Sequence, residues 1–228
     1  MSTTLAPRPQ NEERRVVAVK RTGLIDGKQA DNFSIFCEMA KELTGFEYVS
    51  FSLFDESYQC GIASTDGVSG DKSERHEYNI CSYVLLSSEP TLIPDLTKHE
   101  KWKSHPSLQE EDRWLGYAGF PVINKDNYAL GTFCLLNREP LALNDKQITL
   151  VKGMCERIAH QIDTQTVQKE ITAETVQTAL KSFRTATKSA DTSDLNDFLS
   201  LCSGKPISKP SFSKLVDFDL AKFENGEM

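Results

Sequence analysis

Hydrophobic residues in the first part of the chain follow helical spacing and then strand spacing. Between residues 28 and 43 the apolar positions recur three or four residues apart, which predicts an amphipathic helix. They are Phe33, Phe36, Cys37, Ala40 and Leu43. Gly45 follows, where a helix C-terminus favours glycine.

Residues 48–54 change to strict alternation, with apolar Val49, Phe51 and Leu53 between serines. This period of two predicts a strand with one apolar and one largely polar face. A second strand over residues 58–64, joined through residues 55–57, completes a hairpin. The polar, glycine-containing residues 67–77 predict an exposed loop.

The middle of the chain predicts three more strands and a long connection. Residues 80–86 favour a short helix, and residues 91–95 an edge strand that a proline ends. The polar connection over residues 96–112 has the length of a lid over a site. Two long apolar runs, 115–123 and 128–136, flank a four-residue hairpin loop and predict central strands.

A long closing helix is predicted from Asn144, which has capping-box spacing to Gln147. Its first face carries Ile148, Val151, Cys155, Ile158 and Ile162, and the pattern resumes at Val167, Ile171, Val176, Leu180 and Phe183. The last forty or so residues are polar, apart from two amphipathic pieces at 195–201 and 212–223.

These patterns predict an α/β (α+β) fold, in which helices flank an antiparallel sheet of about five to six strands. We divide the chain into a flexible N-terminal arm (1–16), a domain (17–164), a helical extension (165–187) and a weakly ordered tail (188–228). The apolar residues of the tail suggest that it docks on something.

Composition and charge argue against several classes of function. With 26 Lys and Arg against 33 Asp and Glu the net charge is -7, which does not favour nucleic-acid binding. The N-terminus lacks a secretory signal and no window is apolar enough to cross a membrane, so we expect a cytoplasmic protein with no membrane partner. The six cysteines are scattered without CxxC spacing, and we interpret them as reduced.

Five segments, in this order and spacing, resemble the GAF domain family across residues 17–164. They are residues 22–25 (TGLI), 78–84 (YNICSYV), 94–95 (PD), 113–122 (RWLGYAGFPV) and 130–136 (LGTFCLL). The sequence departs from the family at Asn137, where many members carry Asp, and lacks the usual Asp-rich stretch after Trp102.

The resemblance implies an antiparallel sheet with helices on one face and a ligand pocket under loops on the other. It implies no particular ligand, because members bind cyclic nucleotides, bilins, haem, small metabolites or nothing known. The cyclic-nucleotide signature of the phosphodiesterase-type members and all phosphate-binding glycine loops are missing. We expect no cofactor and no metal, since His76, His99, His105 and His160 lack ligand spacing.

Cys81 is the main chemical candidate. Relatives that attach a bilin at a cysteine in this region follow it with histidine, whereas Ser82 follows here. A GAF subfamily reduces free methionine sulfoxide with several cysteines, but the contexts of Cys60, Cys81 and Cys134 differ from its motifs. A packed or pocket-lining thiol is the alternative to both.

The segment 113–119 is the second candidate, because its glycines permit close approach and its tyrosine offers an aromatic face with a polar tip. The alternative is a bulge in a central strand, with Trp114 packed under the lid. Arg113 is expected to pair with an acidic ligand or with Asp95. The candidate pocket residues are Ser52, Cys81, Tyr83, Asp95, Arg113, Trp114, Tyr117, Phe120 and Cys134.

We therefore predict a non-catalytic sensory domain for signal transduction that binds a small ligand or a signalling protein. No catalytic residues and no output module are expected, and the terminal helices are predicted to pair in a homodimer. A cysteine-dependent reductase and a ligand-free interaction scaffold remain as alternatives.

Overall fold

The computed structural model describes residues 4–25, 32–67, 70–187 and 191–222. Its helices are α1 (Glu12–Thr22), α2 (Ser34–Thr44), α3 (Ile80–Val84), α4 (Asp145–Thr187), α5 (Thr192–Cys202) and α6 (Lys209–Asp217). Its strands are β1 (Tyr48–Phe54), β2 (Tyr58–Ser64), β3 (Lys72–Glu74), β4 (Thr91–Ile93), β5 (Gly116–Ile123) and β6 (Ala129–Asn137). The chain forms two compact units, Met1–Thr166 and Val167–Met228.

The first unit contains a six-stranded sheet in the order β3-β2-β1-β6-β5-β4, and every paired neighbour is antiparallel. This confirms the predicted fold class. The loop prediction for residues 67–77 was wrong at β3, which pairs with β2 at the sheet edge. Three polar residues carry no strand pattern of their own, so the pairing itself makes this strand.

Alternation along the strands separates two cores. Val49, Phe51 and Leu53 of β1 face the main core with Phe133 and Leu135 of β6. Helices α1 and α2 and the first part of α4 cover this face, and their apolar residues join the same cluster. Burial of this surface is the principal stabilisation of the unit.

Helix α2 ends, and helix α4 begins, at the positions that their sequence signals indicate. Gly45 closes α2 in the left-handed conformation with φ 78°. At the start of α4, Asn144 Oδ1 accepts from Gln147 N–H at 3.0 Å, and Gln147 Oε1 accepts from Asn144 N–H at 3.0 Å. The capping box is therefore present. Of the predicted first helix, residues 28–31 lie outside the described residues.

Helix α1 is a feature that the hydrophobic pattern did not predict, and it begins inside the segment interpreted as a flexible arm. Its Arg15 is fully buried and donates to both carboxylate oxygens of Glu12, at 2.7 and 2.9 Å, and to the carbonyl of Phe54 at 2.8 Å. Arg75, also fully buried, donates to Glu12 Oε1 at 2.6 Å and to the carbonyl of Asp55 at 2.6 Å. We call Glu12, Arg15 and Arg75 the buried charge cluster. It fixes α1 to the β1–β2 turn.

The segment before α1 is also hydrogen-bonded. Ala6 N–H donates to the carbonyl of Arg75 at 3.0 Å, and Glu77 N–H donates to the carbonyl of Thr4 at 2.8 Å. Residues 4–6 therefore lie against the segment that leads into α3.

The second unit contains α5 and α6, which form at the two amphipathic pieces of the sequence. Phe183, Leu195 and Leu215 form its small buried core. Asp191 caps α5 with a full capping box, and Lys214 of α6 pairs with the buried Asp194 at 2.6 Å. Within the described ranges, no helix has the length and apolar character needed to span a membrane.

Candidate functional site

The second face of the sheet carries a separate, smaller core. This face carries Ser52, Thr132, Cys134, Tyr117 and Gly119. Residues an even number apart on one strand share a face, and so do residues directly opposite each other on paired strands. Helix α3 and the connection over residues 96–112 cover them, and the edge strand β4 lies beside them in the sheet. The buried members of this second core are Ile80, Val84, Ile93, Leu96, Trp102, Leu108, Tyr117 and Cys134.

Three of the predicted site residues meet at the centre of this core. The sulfur atoms of Cys81 and Cys134 are 3.0 Å apart, and the Tyr117 hydroxyl lies 3.4 Å from each of them. Thr132 Oγ1 lies 3.3 Å from the Cys134 sulfur. We call Cys81, Tyr117 and Cys134 the thiol site.

The two thiols differ in acidity. The hydrogen bond from Cys134 lowers the pKa of Cys81 below that of an ordinary thiol, against the effect of burial, and the hydrogen bond from Tyr117 acts in the same direction. Burial, followed by the hydrogen bond to Cys81, raises the pKa of Cys134 well above the ordinary value. Of the two thiols, Cys81 is therefore the more acidic and Cys134 the less acidic.

A chain of polar side chains holds α3 over the sheet. Asn79 Oδ1 caps the helix by accepting from Ser82 N–H at 2.9 Å. Asn79 Nδ2 donates to Gln59 Oε1 at 2.8 Å, and Gln59 Nε2 donates to Ser52 Oγ at 3.1 Å. Ser52, predicted as a pocket residue, thus supports α3 from β1.

The connection over residues 96–112 closes this face, and we call it the lid. Its Trp102 is buried and stacks edge-on against Tyr83 with ring centroids 5.0 Å apart, while Lys101 Nζ sits 3.3 Å from the Tyr83 ring centroid. His105 Nε2–H donates to the carbonyl of Tyr78 at 2.7 Å, and its Nδ1 accepts from Ser107 N–H at 3.2 Å. Aromatic contacts and this one hydrogen bond link the lid to α3 and the residues before it.

Close packing leaves Gly119 no room for a side chain. A Cβ at this position would lie 2.6 Å from Val84 Cγ2 and closer still to the Tyr117 hydroxyl. Tyr117 therefore folds back over its own strand to reach the thiols, and glycine two residues later makes that possible.

Three predicted site residues lie away from the thiol site. Asp95 caps the turn after β4, accepting from Thr97 N–H at 3.0 Å and pairing with Lys98 at 2.9 Å rather than with Arg113. Arg113 is exposed. Trp114 packs beside Tyr48 and under the Arg138 guanidinium. The buried tryptophan on this face is instead Trp102, which belongs to the lid itself.

Phe120 requires a correction. It is 1 % exposed and belongs to the main core on the opposite face of the sheet. It lies three residues from Tyr117, and an odd separation along a strand puts two side chains on opposite faces.

Gln59, Asn79 and Trp102 are site residues that the sequence did not single out. Asn79 carried a readable signal, since it stands directly before a short helix and is a preferred N-cap residue. No group of three or more potential metal ligands occurs in the part of the chain that the structure describes.

A six-stranded antiparallel sheet, with helices on one face and a lidded site on the other, defines a small α/β domain with a covered site. The GAF domain family model matches residues 31–162, and the chain belongs to this family, whose members are typically sensory or regulatory.

A cyclic di-GMP phosphodiesterase of Pseudomonas aeruginosa is 24 % identical over 159 residues, which is 69 % of this chain and 27 % of the relative. This chain thus spans about a quarter of that protein.

Two solved structures are similar in fold. A methyl-accepting chemotaxis protein fragment has a TM-score of 0.51 at 15 % identity, covering 67 % of this chain and 98 % of the fragment. The GAF domain of an Acinetobacter phosphoenolpyruvate-protein phosphotransferase has a TM-score of 0.50 at 16 % identity, covering 66 % and 93 %.

Proposed function

We propose that this protein is a sensory domain of a signalling system and that its input site is the thiol site under the lid. The observation that carries the proposal is a second core, separate from the main one, in which polar and ionisable groups converge beneath a segment of surface chain. Similarity in sequence to a cyclic di-GMP phosphodiesterase and in fold to a methyl-accepting chemotaxis protein supports the proposal.

A small ligand reaches the buried Tyr117 and Cys134 only when the lid moves. Trp102 and Leu108 are 5 % and 7 % exposed and fill the space above α3 and β5. The lid is therefore both the gate and the element whose position reports occupancy.

Hydrogen–deuterium exchange of the full chain, with and without a small-molecule extract of its host, tests the proposal. We expect altered exchange in residues 96–112 and in α3. Native mass spectrometry of the purified protein then identifies any retained molecule. A ligand that alters exchange only elsewhere, for example beside Lys152 and Glu89, would refute the thiol site as the input.

We also propose that two copies pair through α4. Val167 and Ile171 are 41 % and 53 % exposed and, at a spacing of four, share one side of the helix. Sedimentation velocity should show a dimer that Ile171→Glu converts to a monomer. Gln177→Glu, on a different side of the same helix, should leave the dimer intact, and loss of the dimer in both variants would contradict this interface.

A second candidate function is thiol-dependent reduction of an oxidised small molecule, which the 3.0 Å separation of the two sulfurs favours. Incubation with free methionine sulfoxide and dithiothreitol tests it. Repeated turnover that Cys81→Ser abolishes would replace the sensory proposal with an enzymatic one.

A further inference from the structure

The chain contains six cysteines, and the structure describes all of them as thiols without a disulfide. Cys81 and Cys134 differ from the others in having their sulfur atoms 3.0 Å apart. The Tyr117 hydroxyl donates to the Cys81 sulfur and lies at the same distance, 3.4 Å, from the Cys134 sulfur. The arrangement brings together two nucleophilic groups from segments 53 residues apart in the sequence.

The two thiols sit on supports of very different rigidity. Cys134 is in the middle of β6, which is paired on both sides by β1 and β5. Cys81 is half-buried on α3, a helix of only five residues. A disulfide has a sulfur–sulfur distance of about 2.05 Å, so the two atoms must approach by roughly 1 Å. A small shift of α3 supplies most of this approach, while β6, which is paired on both sides, moves much less.

We propose that Cys81 and Cys134 form a reversible disulfide when a hydroperoxide oxidises Cys81, and that the accompanying shift of α3 moves the lid. The chemical step stands on the geometry of the thiol site, whereas its role as a signal rests on the proposed sensory function.

The reaction has two steps. In the first, the Cys81 thiolate attacks the terminal peroxide oxygen and the O–O bond breaks. Cys81 becomes a sulfenic acid, and the departing oxygen takes a proton to leave as water or an alcohol. In the second, the Cys134 sulfur attacks the Cys81 sulfur and the S–O bond breaks. The Cys134 proton leaves with the hydroxide as water. Two thiols lose two electrons in total, and the peroxide gains them.

The asymmetry of the pair matches these roles. The hydrogen bonds from Cys134 and Tyr117 lower the pKa of Cys81, which suits the attacking thiolate. Burial raises the pKa of Cys134, so this thiol gives up its proton only as it attacks, and its suitability as the resolving thiol comes from its position 3.0 Å from the Cys81 sulfur. Cys155, in contrast, is buried in the main core, where burial raises the pKa of its thiol.

Oxidation has a direct structural consequence for the lid. Tyr83, two residues after Cys81, holds Trp102 in an edge-on aromatic contact. When α3 moves toward β6, this contact changes, and so does the hydrogen bond from Tyr117 to the Cys81 sulfur. The disulfide thus acts on the same segment that a ligand would have to displace.

Treatment of the full-length protein with hydrogen peroxide tests the proposal. Cys202→Ser is the background for all samples, because Cys202 is exposed and would otherwise form bonds between molecules. We expect the intact mass to fall by two hydrogen atoms and peptide mapping to link residue 81 to residue 134. Dithiothreitol should restore the original mass.

Variants separate the roles of the two thiols. Cys134→Ser should accumulate a Cys81 sulfenic acid that dimedone traps, whereas Cys81→Ser should react at least about tenfold more slowly. Cys155→Ser is the matched control for loss of a buried thiol and should form the same disulfide as the parent. Circular dichroism of each variant checks that it is folded.

The lid is followed in the Trp114→Phe variant, in which Trp102 is the only tryptophan. Oxidation should change its fluorescence and the hydrogen exchange of residues 96–112. Absence of the 81–134 link in folded, peroxide-treated protein would overturn the redox inference, while the ligand experiments on the lid would still decide the proposed function. A disulfide that forms with no change in the lid would overturn the coupling.

Discussion

Replacing Glu12 with glutamine should strongly destabilise the first unit, because it removes the negative charge of the buried charge cluster. The side chains of Arg15 and Arg75 are 0 % exposed and that of Glu12 is 18 % exposed. Glutamine keeps one oxygen acceptor but turns an amide donor toward guanidinium donors. Two buried cations then lack a full counter-charge.

The magnitude follows from the burial of the cluster. Removing one partner of a buried ion pair costs about 3–5 kcal/mol. The partial exposure of Glu12 and the carbonyls that also accept from Arg15 argue for the lower end, about 3 kcal/mol. Arg75 adds to the effect, since within the described residues its Nε and Nη2 have no hydrogen-bond partner. For a unit of this size the melting temperature should fall by about 6–12 °C.

Differential scanning calorimetry of the full chain measures this change. Glu13→Gln is the matched control, because Glu13 lies in the same first turn of α1 but is exposed. It removes an equal charge from the helix N-terminus and should cost no more than about 0.5 kcal/mol.

The difference between parent and Glu12→Gln should also depend on pH. Burial acts to raise the pKa of Glu12, but hydrogen bonds and charge from Arg15 and Arg75 bring it below the ordinary 4.5. A carboxyl group with a lowered folded-state pKa stabilises the fold above its unfolded-state pKa and loses that contribution as the pH falls through the folded-state value. The gap should therefore be full at neutral pH and shrink below about pH 4.5. Equal melting temperatures for the Glu12→Gln and Glu13→Gln variants would refute the reasoning.

Three further predictions concern the thiol site and its cover. Gly119→Ala should lower the free energy of unfolding, measured by urea denaturation, by about 2 kcal/mol, because the new methyl group collides with α3 and with the Tyr117 hydroxyl. Adding Tyr117→Phe should recover part of this loss. Asn79→Ala removes the acceptor for Ser82 N–H, so it should cost about 1 kcal/mol and speed amide exchange in α3; unchanged exchange there would contradict the capping role. His105→Ala breaks the 2.7 Å hydrogen bond that links the lid to the carbonyl before α3 and should accelerate alkylation of Cys81 by iodoacetamide, whereas an unchanged rate would show that this bond does not hold the lid closed.

The parts of the fold that sequence predicted well are those whose own pattern determines them. The strands β5 and β6 and the helix α4 carry long apolar periodicities, and their ends lie close to the predicted positions. Helix α1 was not predicted because its sequence is rich in charged residues. From sequence alone, a buried arginine cannot be distinguished from an exposed one, because its partners are not yet known. Arg15 is satisfied by Glu12 on the same helix but also by carbonyls of β1 and the turn after it, which only the folded chain brings near.

The thiol site shows a similar limit. Cys81, Tyr117 and Cys134 were each predicted, yet their meeting depends on the strand order of the sheet and on the path of the lid. Residue parity was available from sequence and separates Tyr117 from Phe120, so the placement of Phe120 in the pocket was avoidable. The roles of Gln59 and Trp102 could not be predicted from sequence, because they depend on which segments cover the second face of the sheet.

The position of Cys134 gives the thiol site a short route to the rest of the domain. Its neighbours Phe133 and Leu135 point to the opposite face, are fully buried, and share the main core with Val151 and Ile158 of α4. A displacement of β6 at the thiol site therefore acts on the packing beneath α4 across a single layer of backbone. Since a close-packed core adjusts in discrete rearrangements rather than by gradual deformation, even a small movement at Cys134 has a structural consequence on the helical face.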